Sequence, residues 1–141
     1  MSDVSEVRVL LREYAASLPF ALDFQDFERE LAGLPGAYAP PRGALRLARG
    51  AGCVALRPLD EDTCEMKRLY VRPSARGSGL GRRLTEEIVA EARRLGYRRM
   101  RLDTVPGMGA AQSLYEHLGF REIAPYRPNP IAGARFLELD L

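Results

Sequence analysis

A short basic turn at positions 76–82, RGSGLGR, contains the residues best suited to bind a phosphorylated ligand. An apolar run ends at Pro73 before this turn, and a helical pattern of apolar residues begins at Leu80. Glycines let the backbone approach a ligand closely, and the first N–H groups of a helix are unpaired and favour negative charge. The turn therefore predicts a site for a phosphate or pyrophosphate group.

The spacing of the glycines argues against two common nucleotide-binding motifs. A Walker A loop requires a Gly-Lys pair that starts five residues after its first glycine, but Arg82 stands five residues after Gly77. A Rossmann fingerprint requires a third glycine at the place of Arg82, and a doubly wound domain needs more chain than remains. The turn therefore predicts neither ATP or GTP hydrolysis nor dinucleotide binding.

The spacing that does fit is R-x-x-G-x-G, at Arg76, Gly79 and Gly81. It resembles the acyl-CoA pyrophosphate loop of the GNAT superfamily of N-acetyltransferases. A second signature lies downstream, where residues 111–120 read A-x-x-L-Y-x-x-x-G-F and place a tyrosine at Tyr115. The two signatures occur in the order of the superfamily, and the resemblance spans about residues 65–121.

This resemblance implies that acetyl-CoA is the acetyl donor. In the superfamily, the arm of the cofactor lies between two parallel strands that splay apart, and the turn holds the pyrophosphate. A freed N–H group near Val71 would then polarise the thioester carbonyl. The residues implied to bind the cofactor are Leu69, Tyr70, Val71, Arg76, Gly77, Ser78, Gly79, Leu80, Gly81 and Arg82.

The resemblance also implies direct transfer of the acetyl group to an amine. Glu65 is the candidate base, acting directly or through a water, and Asp103 is the alternative. Tyr115 is the candidate acid that protonates the leaving thiolate. Each has a structural alternative: Glu65 as a solvated or ion-paired strand carboxylate beside Lys67, and Tyr115 as a core aromatic residue.

Two further positions depart from a simple catalytic interpretation. Met108 stands where many superfamily members have an asparagine that contacts the cofactor arm. His117, the single histidine, follows Tyr115 by two residues on the helix and is expected at the surface. No group of residues has metal-ligand spacing, so no metal is predicted.

Apolar periodicity predicts the elements that position these residues. Helices are predicted at about residues 4–18, 24–34, 80–95 and 108–118, and strands at 44–48, 53–57, 65–71, 101–105, 120–123 and 135–141. This order matches the mixed α/β fold of the superfamily: two N-terminal helices, an antiparallel meander, a helix-strand-helix unit and a closing strand pair. Superfamily members usually begin with a strand, which here is predicted to be absent or short.

Composition places the chain among globular proteins with one domain over residues 1–141. The net charge of +2 argues against nucleic acid, and no apolar run reaches the length of a membrane span. The N-terminal sequence has no basic region followed by an apolar run, so a cytoplasmic protein without a signal peptide is expected. Cys53 and Cys64 are expected to be reduced thiols.

The acceptor is predicted to be a primary amine of a small molecule or peptide. Candidate residues for its pocket are Tyr38, Arg42, Arg57, Tyr126, Arg127 and Asn129. Because several of these are basic, they suit an acceptor with a carboxylate, such as an amino acid bound by Arg57 or Arg127.

One alternative function is a non-catalytic acyl-CoA-binding regulator that acts through a protein partner. Another is an acyltransferase for a macromolecule, such as a ribosomal protein or charged tRNA. Homodimerisation is common for this fold, but that expectation rests on analogy alone.

Overall fold

The predicted order of helices and strands is confirmed in the computed structural model, which describes residues 2–18, 24–106 and 109–141. The elements are α1 (Asp3–Ser17), α2 (Phe24–Ala32), β1 (Ala44–Ala48), β2 (Gly52–Pro58), β3 (Thr63–Val71), α3 (Leu80–Arg94), β4 (Arg99–Thr104), α4 (Gly109–His117), β5 (Arg121–Ile123) and β6 (Arg135–Asp140). Within the described residues, no strand precedes α1. None of the helices in these ranges is long and apolar enough to cross a bilayer.

The six strands form one mixed sheet in the order β1-β2-β3-β4-β6-β5. The first three strands are an antiparallel meander, β3 and β4 are parallel, and β6 is antiparallel to both of its neighbours. Since β6 lies between β4 and β5, the closing strand pair extends the sheet on the side of β4. The mixed α/β architecture predicted from the sequence is therefore confirmed.

Hydrophobic side chains of the sheet alternate between two cores. On one face, Cys53 and Ala55 of β2 pack with the apolar stripes of α1 and α2. On the other face, Val54 and Leu56 pack with the stripe of α3 and with Tyr115 of α4. The sheet thus separates α1 and α2 from α3 and α4.

The strand β3 contains one extra residue relative to β2. Cys53 lies opposite Tyr70 and Ala55 lies opposite Lys67, so three steps along β3 face two along β2. Arg68, inside this bulge, has a φ of 62°, which is in the left-handed region. The bulge therefore redirects β3 midway along its length.

The strands β3 and β4 pair over only three residues. Thr63 to Glu65 lie opposite Arg99 to Arg101, and beyond these positions no pairing occurs although both strands continue. The result is a gap between the second half of β3 and the end of β4, which is the splay that the resemblance implied. Backbone groups that would pair inside a continuous sheet are available along this gap.

Candidate active site

Every second peptide group along β3 points toward this gap. The carbonyl oxygen of Tyr70 faces β2, where a Cβ added to Gly52 would lie 2.4 Å from it. The carbonyl of Arg68 also faces β2 and accepts a contact of 3.7 Å from the Cys53 thiol. Because successive residues of a strand point their backbone groups in opposite directions, those of Leu69 face the gap.

Val71 lies two residues beyond Leu69 and also faces the gap by this alternation. Its carbonyl oxygen accepts a hydrogen bond of 3.1 Å from Nε of Arg76. Of the three β3 residues predicted to contact the cofactor, two therefore face the gap, whereas the backbone of Tyr70 faces β2 and its ring packs with α1.

The turn after β3 leaves the N-terminus of α3 open. Gly79 is the N-cap residue, with a φ of 82° and no side-chain cap. The N–H of Arg83 makes the first hydrogen bond along the helix, to the carbonyl of Gly79 at 3.1 Å, so the three preceding N–H groups have no partner within the helix. Residues 76–79 are exposed. This end of α3 can bind an anion.

The polar side chains of the turn make local contacts. Arg82 pairs with Glu86 at 3.2 Å, and the Ser78 hydroxyl donates to the carbonyl of Ala75 at 2.5 Å. Backbone N–H groups, together with the positive charge around them, are therefore the main binding groups that the turn presents.

Glu65 is completely buried where the gap begins. Its Oε1 accepts from Arg57 at 2.9 Å, and its Oε2 accepts from the Tyr126 hydroxyl at 2.6 Å and from Arg127. Burial alone would raise the pKa of Glu65, but the charge of Lys67 and the hydrogen bonds from Tyr126 and Arg127 lower it below its usual value. Glu65 is therefore an ionised carboxylate held in a fixed orientation.

Asp103 belongs to the same hydrogen-bond network. One of its oxygens accepts from Arg127 at 3.1 Å and the other accepts from Asn129 at 3.2 Å. The segment between β5 and β6, residues 124–134, thus places its polar side chains over both candidate carboxylates. Predicted residues that are more than sixty positions apart in the sequence are brought together here.

Tyr115 lies in the core between the sheet and α3, on the face opposite α1 and α2. Its ring is buried and packs against Phe120, with centroids 5.6 Å apart. Burial raises the pKa of Tyr115, and the nearby Tyr14 raises it further. Tyr14 belongs to the core on the other face of the sheet, where its ring packs against Tyr70. Tyr14 continues the apolar stripe of α1, and no local signal in the sequence distinguishes it from a core residue.

Other predicted residues lie farther from this centre. Tyr38 donates a 3.0 Å hydrogen bond to Glu30 of α2. Arg42 stacks on the ring of Tyr97, 4.7 Å from its centroid, and its guanidinium bonds to the Tyr97 hydroxyl. His117 is exposed, and Met108 lies outside the described residues. The structure thus separates Arg42 from the other candidate pocket residues.

Three side chains complete the chemistry of the site. Cys53 and Cys64 are buried free thiols, and burial raises the pKa of each to about 12. Lys67, which was considered as an ion-pair partner of Glu65, has no carboxylate within 4 Å among the described side chains. No cluster of His, Cys, Asp or Glu in the described ranges could hold a metal ion.

Comparisons with protein-family models, known proteins and solved structures agree with one another. Residues 9–120 match the family model described as the acetyltransferase (GNAT) family. An uncharacterized N-acetyltransferase from Schizosaccharomyces pombe is 39% identical over 145 residues, which cover 99% of this chain and 89% of that protein. A crystal structure of an acetyltransferase from Streptococcus agalactiae superposes with a TM-score of 0.77 at 22% identity, over 98% of this chain and 91% of that one.

A further solved structure carries a ligand. It is a putative acetyltransferase from Salmonella typhimurium with its cofactor acetyl-CoA, and it superposes with a TM-score of 0.69 at 19% identity. The alignment covers 99% of this chain and 90% of the Salmonella protein. At this level of identity the likeness concerns the fold.

Proposed function

The chain belongs to the GNAT family of acetyltransferases, and from this premise we propose that it transfers an acetyl group from acetyl-CoA to a primary amine of a small molecule or peptide. The observation that carries the proposal is the gap between β3 and β4. A backbone edge without strand partners and an ionised carboxylate lie together there, and Tyr115 is buried in the core on the α3 side of the sheet. Acetyl-CoA, when bound, supplies the acetyl group as an activated thioester.

The residues around the gap fit coenzyme A. The uncapped end of α3 offers unpaired N–H groups beside the positive charges of Arg76, Arg82 and Arg83, which suits a pyrophosphate. The edge of β3 offers backbone donors and acceptors to an amide-containing arm. The acetyl-CoA in the Salmonella relative supports this choice of donor.

In this proposal, two backbone positions on β3 bind different parts of acetyl-CoA. Leu69 is the gap-facing residue nearer to Glu65, and Val71 is nearer to the turn. We therefore assign the N–H of Leu69, rather than one near Val71, to the oxygen on which negative charge develops. Val71 then holds the arm between that point and the turn.

In this proposal, Glu65 acts as the general base and Tyr115 as the general acid. An amine of the lysine type, with a pKa of ~10.4, is protonated at neutral pH and must lose a proton before it can attack. Glu65 accepts this proton directly or through a water, with Asp103 as the second carboxylate of the same network. Tyr115, whose raised pKa keeps its hydroxyl protonated, supplies a proton to the leaving sulfur.

Calorimetry with acetyl-CoA and CoA tests the location of the cofactor site. We expect micromolar binding to the wild type and at least ~50-fold weaker binding to Gly79→Trp, because the side chain would fill the anion site. Gly96→Trp is the matched control: both glycines have a φ in the left-handed region, 82° and 92°, and both have open space beside a built Cβ. Equal affinity of the wild type and Gly79→Trp would exclude the turn as the site.

Turnover is then measured as release of the CoA thiol with a panel of amines. The two protein thiols are buried and have raised pKa values, so they should react slowly with a thiol reagent. Tyr115→Phe should bind acetyl-CoA like the wild type but turn over at least ~10-fold more slowly. Tight binding without acetylation of any amine would instead favour the acyl-CoA-binding regulator.

A further inference from the structure

Lysine occurs once in this chain, whereas arginine occurs at every other basic position of the 21 Lys and Arg residues. The single lysine, Lys67, stands on β3 between Glu65 and Leu69. Side chains two residues apart on a strand project from the same face, roughly 7 Å from each other. Lys67 therefore extends from the face that carries the candidate base.

The charges around Lys67 are not balanced. Glu65 is paired with Arg57 and Arg127, and Asp103 is paired with Arg127. No described carboxylate is left as an ion-pair partner for Lys67. The three cations and two carboxylates of this group therefore carry one positive charge in excess. An unpaired ammonium group that is partly removed from water is unfavourable, and an anionic ligand would relieve this cost.

The pKa of Lys67 responds to the same surroundings. Burial lowers the pKa of Lys67, and the charges of Arg68, Arg127 and Arg57 lower it further, while Glu65 opposes the shift. Unlike arginine, lysine can lose its proton under such conditions. A bound carboxylate would raise the pKa of Lys67 again.

A cavity adjoins the side chain of Arg57. It has a volume of about 350 Å³ and is lined by α2 and the following turn, including Glu30 and Tyr38. The side chain of Arg57 remains 34% exposed although it is paired with Glu65. A small molecule thus has room beside Arg57, which lines the cavity.

We propose that Lys67 and Arg57 form a carboxylate-binding subsite, so that the acceptor is an amino acid or a similar molecule with a carboxylate close to the acetylated amine. The inference rests on the proposed function and defines its substrate class. Arg127, which the sequence also favoured for this role, already contacts both Glu65 and Asp103. Lys67 takes its place because it has no carboxylate partner among the described side chains.

The first test compares the common L-amino acids with their carboxamides as acceptors. We expect kcat/KM of the wild type to be at least ~30-fold higher for the acids, mainly through KM. Ionisation of the amine cannot produce this preference, since an α-amine beside an amide is more often neutral at pH 7.5 than one beside a carboxylate. Lys67→Met should remove the preference, whereas Arg93→Met, which removes an exposed cation on α3, should keep it. Equal rates of the wild type with acids and amides would overturn the subsite.

The second test does not depend on turnover. Because Lys67 is the only lysine, protein labelled with ¹³C-lysine gives one side-chain signal, whose titration reports the pKa of Lys67 directly. N-acetylated amino acids should raise this pKa and their amides should not. If no amine is acetylated, the proposed function fails, but a pKa raised by the acids alone still supports the subsite. No rise with any acid, or acetylation of Lys67 itself detected by mass spectrometry, would overturn it.

Discussion

The sheet contains two buried glutamates, and we choose Glu65 as the candidate base because of where it lies, since both are buried. Glu65 is paired with Arg57 and Arg127, and Glu138 is paired with Arg101 and Arg121. Paired and buried carboxylates are commonly structural. Only Glu65, however, lies where β3 and β4 separate, so only Glu65 adjoins the gap proposed to hold the thioester.

The first prediction compares Glu65→Gln with Glu138→Gln. Loss of the base should lower kcat of Glu65→Gln by about 10²-fold or more. Glu138→Gln removes an equivalent ion pair of β6, so it should lower the melting temperature while kcat stays within about threefold of the wild type. Steady-state kinetics and thermal unfolding of both variants provide the measurement. Similar losses of kcat in the two variants would assign Glu65 a structural role.

At the scale of elements, α2 holds the bulge of β3 in place. Arg68 has a positive φ, which is unfavourable for any residue with a Cβ. Its guanidinium makes two hydrogen bonds to Glu30, of 2.8 and 2.9 Å, and lies 5.3 Å from the ring centroid of Phe27. These contacts compensate for the backbone cost, and the bulge in turn directs Leu69 toward the gap.

The second prediction separates the backbone role of Arg68 from its side-chain role. Arg68→Ala and Arg68→Gly both lose the ion pair with Glu30, but only glycine adopts a positive φ without cost. The penalty of roughly 1 kcal/mol for alanine shifts the equilibrium about fivefold toward a relaxed bulge in which Leu69 no longer faces the gap, so Arg68→Gly should retain about fivefold higher kcat/KM than Arg68→Ala. Kinetics of both variants at saturating acetyl-CoA measure this ratio.

The control for this prediction is the same pair of substitutions at Arg98. Arg98 is exposed in the turn before β4, and its φ is not in the left-handed region. Neither Arg98→Gly nor Arg98→Ala should change kcat/KM. If alanine at position 68 is as active as glycine, the bulge is not held by the conformation of this residue.

For the molecule as a whole, the sequence predicts the elements well but not the contacts between them. Periodicity is local, and α3 follows directly from its apolar stripe and from Gly96 at its end. The bulge at Arg68 has no local signal, because arginine is a poor candidate for a positive φ. The contact of Arg127 with Glu65 joins residues 62 positions apart and depends on how the late segment folds over the sheet.

Carboxylates that pair with arginines also connect separate parts of the molecule. Glu30 joins α2 to β3 through Arg68, and Glu65 joins β3 to the segment 124–134 through Arg127. Burial opposes ionisation of both, but the cations and hydrogen-bond donors around them prevail, and the pKa of each lies below its usual value of 4.5. Groups with a lowered pKa stabilise the fold above the unfolded value, and this contribution is lost as the pH falls through the folded value.

The last prediction follows from this linkage. The free energy of unfolding, measured by urea denaturation between pH 3 and 7, should be nearly constant above pH 5.5 and should decrease below about 4.5. Glu30→Gln should be less stable than the wild type at pH 7 and should lose less stability on acidification, because one of the linked protons is absent. Glu86→Gln alters an exposed pair on α3, with both side chains 52% exposed, and should follow the wild-type curve. If Glu30→Gln were as acid-sensitive as the wild type, the ion pair between α2 and β3 would not contribute to the acid stability of the fold.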